Sequence, residues 1–559
     1  MSFFAEQFGS LKKSACLLVL GLFLFLGAAS LFNINQIANP GFAANQNTIY
    51  LSPNCDSNQT NCYSVKATGA YDCGLSWTTS TAQVTLSSHA TRQFTQADVG
   101  TNVWGSIFQC GAAQIGSGAP PQRFNTTILS VQSGTVATLS ATPSGNCTAG
   151  GEGGCTMFWG DTDEAAAVNT WFAAVTNQPN CGGVGDLPAG LIFVKSAIVN
   201  TASPCVFGNS SADTFANYTI GGKGIGSTKI VPMPGFDATN CPAYGTGGCI
   251  FGTQTSQAIY YHDFSIDGGG GSPVNVSSGG ASMISAQAGS TVENVGVEDF
   301  GTATANLYGI ATSGINGTPV VLQNVVDINA GGQGNCNIGT WTISYYLYCV
   351  GNGFGQCVQF INGPGNVITY GMTVGWCYGI ADVLVNHNGG NIVWYSYGDF
   401  LQAARASQAE MDILSGDIVY LNGTQILSDS SNTGVTSILN AGSVYTQNVM
   451  IVDANSGAVG ISNSGFFDNQ GNTSVTAATG YSGAGTHISS SAEAGTVTCS
   501  TSTATITYVG SYVKSPIVII QDRTTSGAVT QTSISNTAEV VGCPGASDVL
   551  NFMVVPNPI

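Results

Sequence analysis

Two apolar, alternating segments of this chain carry acidic residues at matching offsets: His262-Asp263-Phe264-Ser265-Ile266-Asp267 and Glu293-Asn294-Val295-Gly296-Val297-Glu298. Stacked as neighbouring strands, they bring Asp267 beside Glu298, with Asp327 and Asp399 near the same end of later strands. Paired carboxylates are what glycoside hydrolysis requires: one protonates the leaving oxygen, the other acts as base or nucleophile. Each of these acids alone also reads as a turn cap, since Asp-Gly is a turn signal. His262 and His387 are further candidates for a general acid, although a lone histidine is more often structural. Trp341, Tyr345, Tyr346, Trp376, Trp394, Tyr395 and Tyr397 offer rings that can stack on sugars or on one another. His262, Trp376, Trp394 and Tyr395 are the substrate-binding candidates, and no metal-ligand constellation stands out.

The elements that would position these groups are short strands. From about residue 190 to 490 the chain alternates apolar runs with Gly, Asn or Ser turns, as in Ile259–Asp267, Val292–Phe300, Val321–Val326, Asn366–Tyr370, Asn391–Tyr395 and Asp417–Leu421. Their spacing is irregular, roughly 20 to 45 residues, as in a solenoid with variable loops. Stacking each strand on its counterpart would bury alternate residues and leave the others outside. An antiparallel sandwich also yields many short strands. Gln402–Met411 is the one later helix-like stretch, and Gly221–Thr228 is a glycine-rich turn whose spacing fits neither a P-loop nor a dinucleotide loop.

Ahead of these strands, Asp161 reads as an N-cap with Glu164 three residues on, a capping-box arrangement. Ala165 to Ala167 favour helix, and Val168, Trp171, Phe172 and Val175 form one apolar face. Pro179 ends the helix near Asn177, and Leu191–Val194 reads as a buried strand.

Asp161, Asp163, Ala165–Ala167, Gly182, Gly183, Val184 and Leu187-Pro188-Ala189-Gly190 together resemble the opening of the pectate-lyase-like right-handed parallel β-helix proteins. That superfamily includes rhamnogalacturonase- and epimerase-like enzymes and phage tailspikes. The chain departs in placing Thr162 between the aspartates and Leu191-Ile192 where Thr-Tyr is frequent. The resemblance implies an all-β fold: a parallel β-helix with an N-terminal capping helix, favoured over the sandwich. Ser64–Asp72 resembles the family's opening strand and turn; about a hundred residues then intervene, reading as an inserted β module with a Phe94-Thr95-Gln96-Ala97-Asp98-Val99-Gly100 signature. After residue 490, Ala494–Cys499, Ser515–Ile520 and Val549–Val555 look like a C-terminal β-sandwich module. The expected organisation is therefore 1–44 signal or anchor, 45–158 segment with inserted module, 159–490 β-helix and 491–559 sandwich.

The family's polygalacturonase motifs (Asn-Thr-Asp, Asp-Asp, His-Gly) are missing, with Gly355-Gln356-Cys357-Val358 standing where Asp-Asp-Cys would fall. A lyase of this family needs a basic group, usually with calcium. The coil region offers only Lys195, Lys223, Lys229 and Arg405, which disfavours that mechanism. No cofactor is expected for a hydrolase; calcium would enter only with a lyase.

Composition narrows the field further. Of 559 residues only 7% are charged, 75 are glycine, and the net charge is −18. Such a surface repels nucleic acid and gives no help with a polyanion. Lys12-Lys13 precede an apolar run, Ala15 to Phe32, that reads as a secretory signal, with an uncleaved membrane anchor as its rival. Beyond Cys16, 16 of the 17 cysteines form an even set without Cys-x-x-Cys. Cys55, Cys62, Cys147, Cys155, Cys181, Cys205, Cys241, Cys249, Cys357, Cys377, Cys499 and Cys543 are disulfide candidates, which suits a secreted or cell-surface protein. The expectation is an exported protein that recognises and hydrolyses a neutral or weakly charged polysaccharide. The rival is a non-catalytic adhesin or tailspike-like fibre, for which a homotrimer is one assembly.

Overall fold

The computed structural model describes residues 48–555 apart from short stretches, the longer being 107–122, 144–154, 201–216, 238–248 and 269–280. From Val184 to Ser482 the chain winds as a parallel β-helix. The regular coils carry three strands each, as in Gly365–Tyr370, Thr373–Cys377 and Ala381–Val385, followed by Ile392–Tyr397, Phe400–Gln402 and Ala409–Ile413. In earlier coils the first two strands run together around a corner, as in Ala258–Asp267 and Thr291–Glu298. The third strands form an 11-stranded sheet.

Each corner is made by a residue with positive φ at one register position: Asp263 (59°), Asn294 (51°), Asn324 (50°), Tyr346 (55°), Gly371 (65°), Gly398 (67°), Gly423 (68°) and Asn448 (53°). Glycine, asparagine and aspartate enter this region most readily. Asn324 Nδ2 donates to Asn294 Oδ1 (2.6 Å), and Asn294 Nδ2 donates to Asp263 Oδ1 (3.2 Å), so the first corners are also bonded along the stack. Inside, columns such as Val320, Thr342, Val367, Trp394, Val419, Val444 and Phe467 are buried in register and make one continuous core.

The helix Ala165–Thr176 covers the open end of that core. Val168, Trp171, Phe172 and Val175 are fully buried, Phe172 packs edge-on against Phe251, and Trp171 Nε1 donates to the Ile49 carbonyl (2.8 Å). The cap differs from the sequence expectation. The Glu164 carbonyl accepts from Val168 N–H, Asp163 Oδ1 accepts from Ala165 N–H and Lys195 N–H, and Glu164 Oε1 ties down Lys66 and Ala67. Asp161 instead accepts from the backbone and side chain of Asn102.

Asn102 belongs to a closed antiparallel barrel built from Ala70–Trp77, Gln83–Thr85, Asn102–Ser106, Arg123–Ser133, Val136–Leu139 and Cys155–Trp159. Its signature turn is explained by buried Asp98, which accepts from Thr95 and, through both oxygens, from Arg92, while Gly100 takes φ +90°. Trp104, Phe158, Leu191, Phe193, Val231 and Met233 pack the barrel onto the first coils. Residues 493–555 form two three-stranded antiparallel sheets.

The helix expected over Gln402–Met411 is absent where the structure is described: Phe400–Gln402 and Ala409–Ile413 are strands. These ends pair with Thr373–Gly375 and Ala381–Val385, and residues 403–407 lie outside the described residues. Disulfides join Cys55–Cys62, Cys357–Cys377 and Cys499–Cys543, and also Cys336–Cys349 within the core. The side chains of Cys147, Cys155, Cys181, Cys205, Cys241 and Cys249 lie outside the described residues, as does the apolar run 15–32. No described helix is long and apolar enough to cross a membrane. Because Trp171 seals the core and satisfies Ile49, we expect Trp171→Ala to cost about 3–5 kcal/mol, measured as a lowered denaturant midpoint.

Candidate functional site

Asp267 and Glu298 are in-register neighbours on adjacent coils, as the alignment of their segments implies. Lys229, one coil earlier, pairs with Ser265 and extends its Nζ to Asp267 Oδ2 (3.1 Å) and Glu298 Oε2 (3.3 Å). Side-chain exposure is 13% for Lys229, 2% for Asp267 and 19% for Glu298. The ring of Tyr71, from the barrel, lies 5.1 Å from the ammonium. Burial alone would lower the Lys229 pKa, but the two carboxylates outweigh it and hold the amine charged. Burial, with the charge of Asp267, raises Glu298 above the ordinary carboxyl range, while Lys229 acts against the shift. The arrangement is an ion triad with its cation between the acids. A pair of carboxylates that is to flank a glycosidic bond needs that space open.

Asp327 and Asp399 do not join this pair. Asp327 aligns with Val297, points into the core, and fills the space left by the missing side chain of Gly309; burial raises its pKa well above normal. Asp399 is buried at a turn, accepting from Met372 N–H (2.7 Å) and the Thr369 hydroxyl, and burial pushes its pKa to about 6. Both are corrected from candidate acids to structural carboxyls, because neither reaches solvent.

On the other side of the corner, the outer face of the same two strands carries a more open cluster. His262 lies beside Glu293 in register, and Tyr260 stacks on His262 with centroids 4.7 Å apart. The Tyr260 hydroxyl donates to Glu293 Oε2, and Gln323 Nε2 reaches Oε1 (3.4 Å). Burial, then the Glu293 bond, raises the Tyr260 pKa. His262 Nδ1 bonds Asp263 Oδ2 (2.8 Å). The imidazole rests over Gly221, where an added Cβ would fall 2.4 Å from it. The side chains of His262 and Asp263 are 24% and 42% exposed. Sequence reading singled out His262 but missed Glu293 and Tyr260 as its companions. The alignment that sets Asp267 beside Glu298 sets His262 beside Glu293. His387 lies outside the described residues.

The aromatic candidates divide by strand alternation. Trp394 points inward, is fully buried, packs on Phe360 and donates to Thr369 Oγ1 (2.9 Å), so it is corrected from sugar contact to core. Tyr395 points outward but stacks on Tyr420 (4.9 Å), which stacks on Tyr445 (4.7 Å). A second ladder joins Tyr345, Tyr370 and Tyr397 at 5.0 Å intervals. Rings stacked this way cover one another's faces and present mainly edges and hydroxyls to solvent. Trp376 is half-buried with φ 61°. Among the described residues, Cys357, Cys377 and Asp382 come close enough to suggest a metal site, but the two sulfurs are joined in a disulfide.

No family model and no curated protein matches the sequence. Solved structures with a similar course of the chain include the tailspike gp49 from Pseudomonas phage LKA1 (10% identity, 89% of this chain and 83% of that one, TM-score 0.27). Others are the A-module of mannuronan C-5 epimerase AlgE4 from Azotobacter vinelandii (15%, 59% and 96%, TM-score 0.37) and the catalytic unit of a GH87 alpha-1,3-glucanase from Streptomyces thermodiastaticus (12%, 75% and 83%, TM-score 0.34). At such scores the parallel β-helix rests on the chain's own strand pairing.

The buried carboxyls make stability depend on pH. Burial raises Asp382 to about 7, against its hydrogen bond with Glu410, and Asp399 to about 6. Their folded pKa values lie above the unfolded ones, so the contribution is full below about pH 4 and is lost as pH rises through those values. We expect urea midpoints to fall from pH 4 to 7. Asp399→Asn should flatten the slope between pH 4 and 6 by up to about 1.4 kcal/mol per pH unit; an unchanged slope would contradict its assignment.

Proposed function

We propose that this chain binds and hydrolyses a neutral or weakly charged polysaccharide on the outer face of its early coils. Glu293 serves as base or nucleophile, and the His262–Asp263 pair as proton donor. Water adds across the glycosidic bond, its hydroxyl going to the anomeric carbon and a proton to the leaving oxygen. The observation that carries the reading is the His262–Glu293 register on a solvent-accessible face, each group oriented by its own partner. The Asp267–Glu298 pair is the weaker candidate, because Lys229 stands between the two acids. The acidic composition disfavours a polyanionic substrate, and the disulfides support export.

A second reading, a non-catalytic surface fibre, is favoured by Ile517, Ile519 and Met553 on one C-terminal sheet, 52%, 59% and 47% exposed, which suit packing between chains. It predicts a trimeric mass by light scattering.

The test is incubation of the full-length chain with neutral and acidic polysaccharides, reading reducing ends and the ultraviolet absorbance of unsaturated uronates. We expect reducing ends without unsaturation, a loss of about 100-fold or more in Glu293→Gln and His262→Asn, and activity largely kept in Asp267→Asn. Loss confined to Asp267→Asn and Glu298→Gln would return the chemistry to that pair. Unsaturated products would make the protein a lyase, and silence with binding retained would favour the fibre.

A further inference from the structure

A cavity lies away from the His262–Glu293 face. It is a cleft of about 950 Å³ between the antiparallel barrel and the first coils. Tyr71, His89 and Arg92 form its barrel wall, Asp161 its connecting edge, and Ser227 and Lys229 its coil wall. This volume falls within the range of ligand pockets, about 300–1,000 Å³. We propose that the cleft binds a neutral saccharide segment, separately from any turnover on the coil face.

Three observations support this. The walls are fixed relative to each other: beside the cleft, Trp104, Phe158, Phe193 and Met233 pack barrel and coils together, so the concavity is built rather than a hinge gap. The cations that line it are already matched. Arg92 makes a bidentate pair with Asp98 (2.7 and 2.6 Å), and Lys229 is held by Asp267 and Glu298. Asp161 accepts from the Asn102 backbone and amide and pairs with neither cation, which leaves the local balance negative. A uronate, sulfate or phosphate would therefore meet no available countercharge. What remains is a set of held donors and acceptors: the Arg92–Asp98 pair, backed by Trp159 at 5.4 Å, and hydroxyls of Thr68, Thr101 and Ser227. Alternating donors and acceptors in a cleft whose lining cations are already paired match the hydroxyls of a neutral sugar.

Gly226 provides the test. It lines the cleft, its backbone is outside the left-handed region, and a Cβ built there meets nothing within 4 Å, so Gly226→Trp adds bulk at the cleft wall without a clash at its Cβ. Calorimetric titration of the full chain with neutral oligosaccharides (glucan, mannan and galactan oligomers) and with matched uronate oligomers reads the outcome. We expect a neutral oligomer to bind, at least tenfold more weakly to Gly226→Trp with an unchanged melting temperature, and with equal affinity to Glu293→Gln. His89→Ala, on an exposed side chain, gives an independent second reduction. Absence of binding by every neutral oligomer, stronger binding of uronates, or binding indifferent to both substitutions would overturn the proposal. Cleft binding without turnover would sink the hydrolase reading alone, and turnover with Gly226→Trp-insensitive binding would sink the cleft alone.

Discussion

The left-handed corner repeated at Asp263, Asn294, Asn324, Tyr346, Gly371, Gly398, Gly423 and Asn448 is the constraint on which the rest of this protein depends. A non-glycine residue held there costs roughly 1–2 kcal/mol. The cost is offset because each corner lets two strands continue the ladders of the coil below, so parallel hydrogen bonding runs on both sides of the turn. It also separates the outward side chains of one strand pair into two faces. Tyr260, His262 and Glu293 precede the corner, and Asp267 and Glu298 follow it. A few residues of strand thus support two environments, one open to solvent and one closed beneath the barrel.

The closed face shows how a chain poor in charge uses the charge it has. Lys229 is shared by Asp267 and Glu298 under Tyr71, one cation offsetting two acids. Removing Lys229 would leave two buried carboxyls without a countercharge, which is far more costly than the pairing is favourable. Together with the aromatic and aliphatic packing around Phe193 and Trp104, the contact of Lys229 with Tyr71 fastens the barrel to the coils. Elsewhere burial raises the pKa of the carboxyls at Asp327 and Asp382, which serve as space-filling or hydrogen-bonding groups inside the solenoid.

Much of this architecture was legible in the sequence, for physical reasons. The apolar face of Val168, Trp171, Phe172 and Val175 has helical spacing, and alternating segments around Phe264 and Val295 align by their own pattern, giving the true register of Asp267 and Glu298. Short-range pairing of Cys55 with Cys62 follows from proximity along the chain. What could not be read depends on coil length. Loops between coils vary, so the offset from Lys229 to Asp267, 38 residues, carries no periodic signal. Likewise, whether Trp394 or Tyr395 faces outward turns on a one-residue register choice. The outer cluster pairs an acid with a histidine and a tyrosine, so a pattern of paired acids does not reveal it, although Glu293 stands opposite His262 in the same alignment.

We propose that sugar is engaged on the outer face before the corner. A crystal structure of the Glu293→Gln protein soaked with a neutral oligosaccharide cleaved by the wild type tests it most directly. The account predicts a glycosidic oxygen within hydrogen-bond reach of His262 Nε2, with the anomeric carbon facing the side chain at position 293 and the Lys229 triad intact. A sugar seated between Asp267 and Glu298, with Lys229 displaced from both, would contradict it.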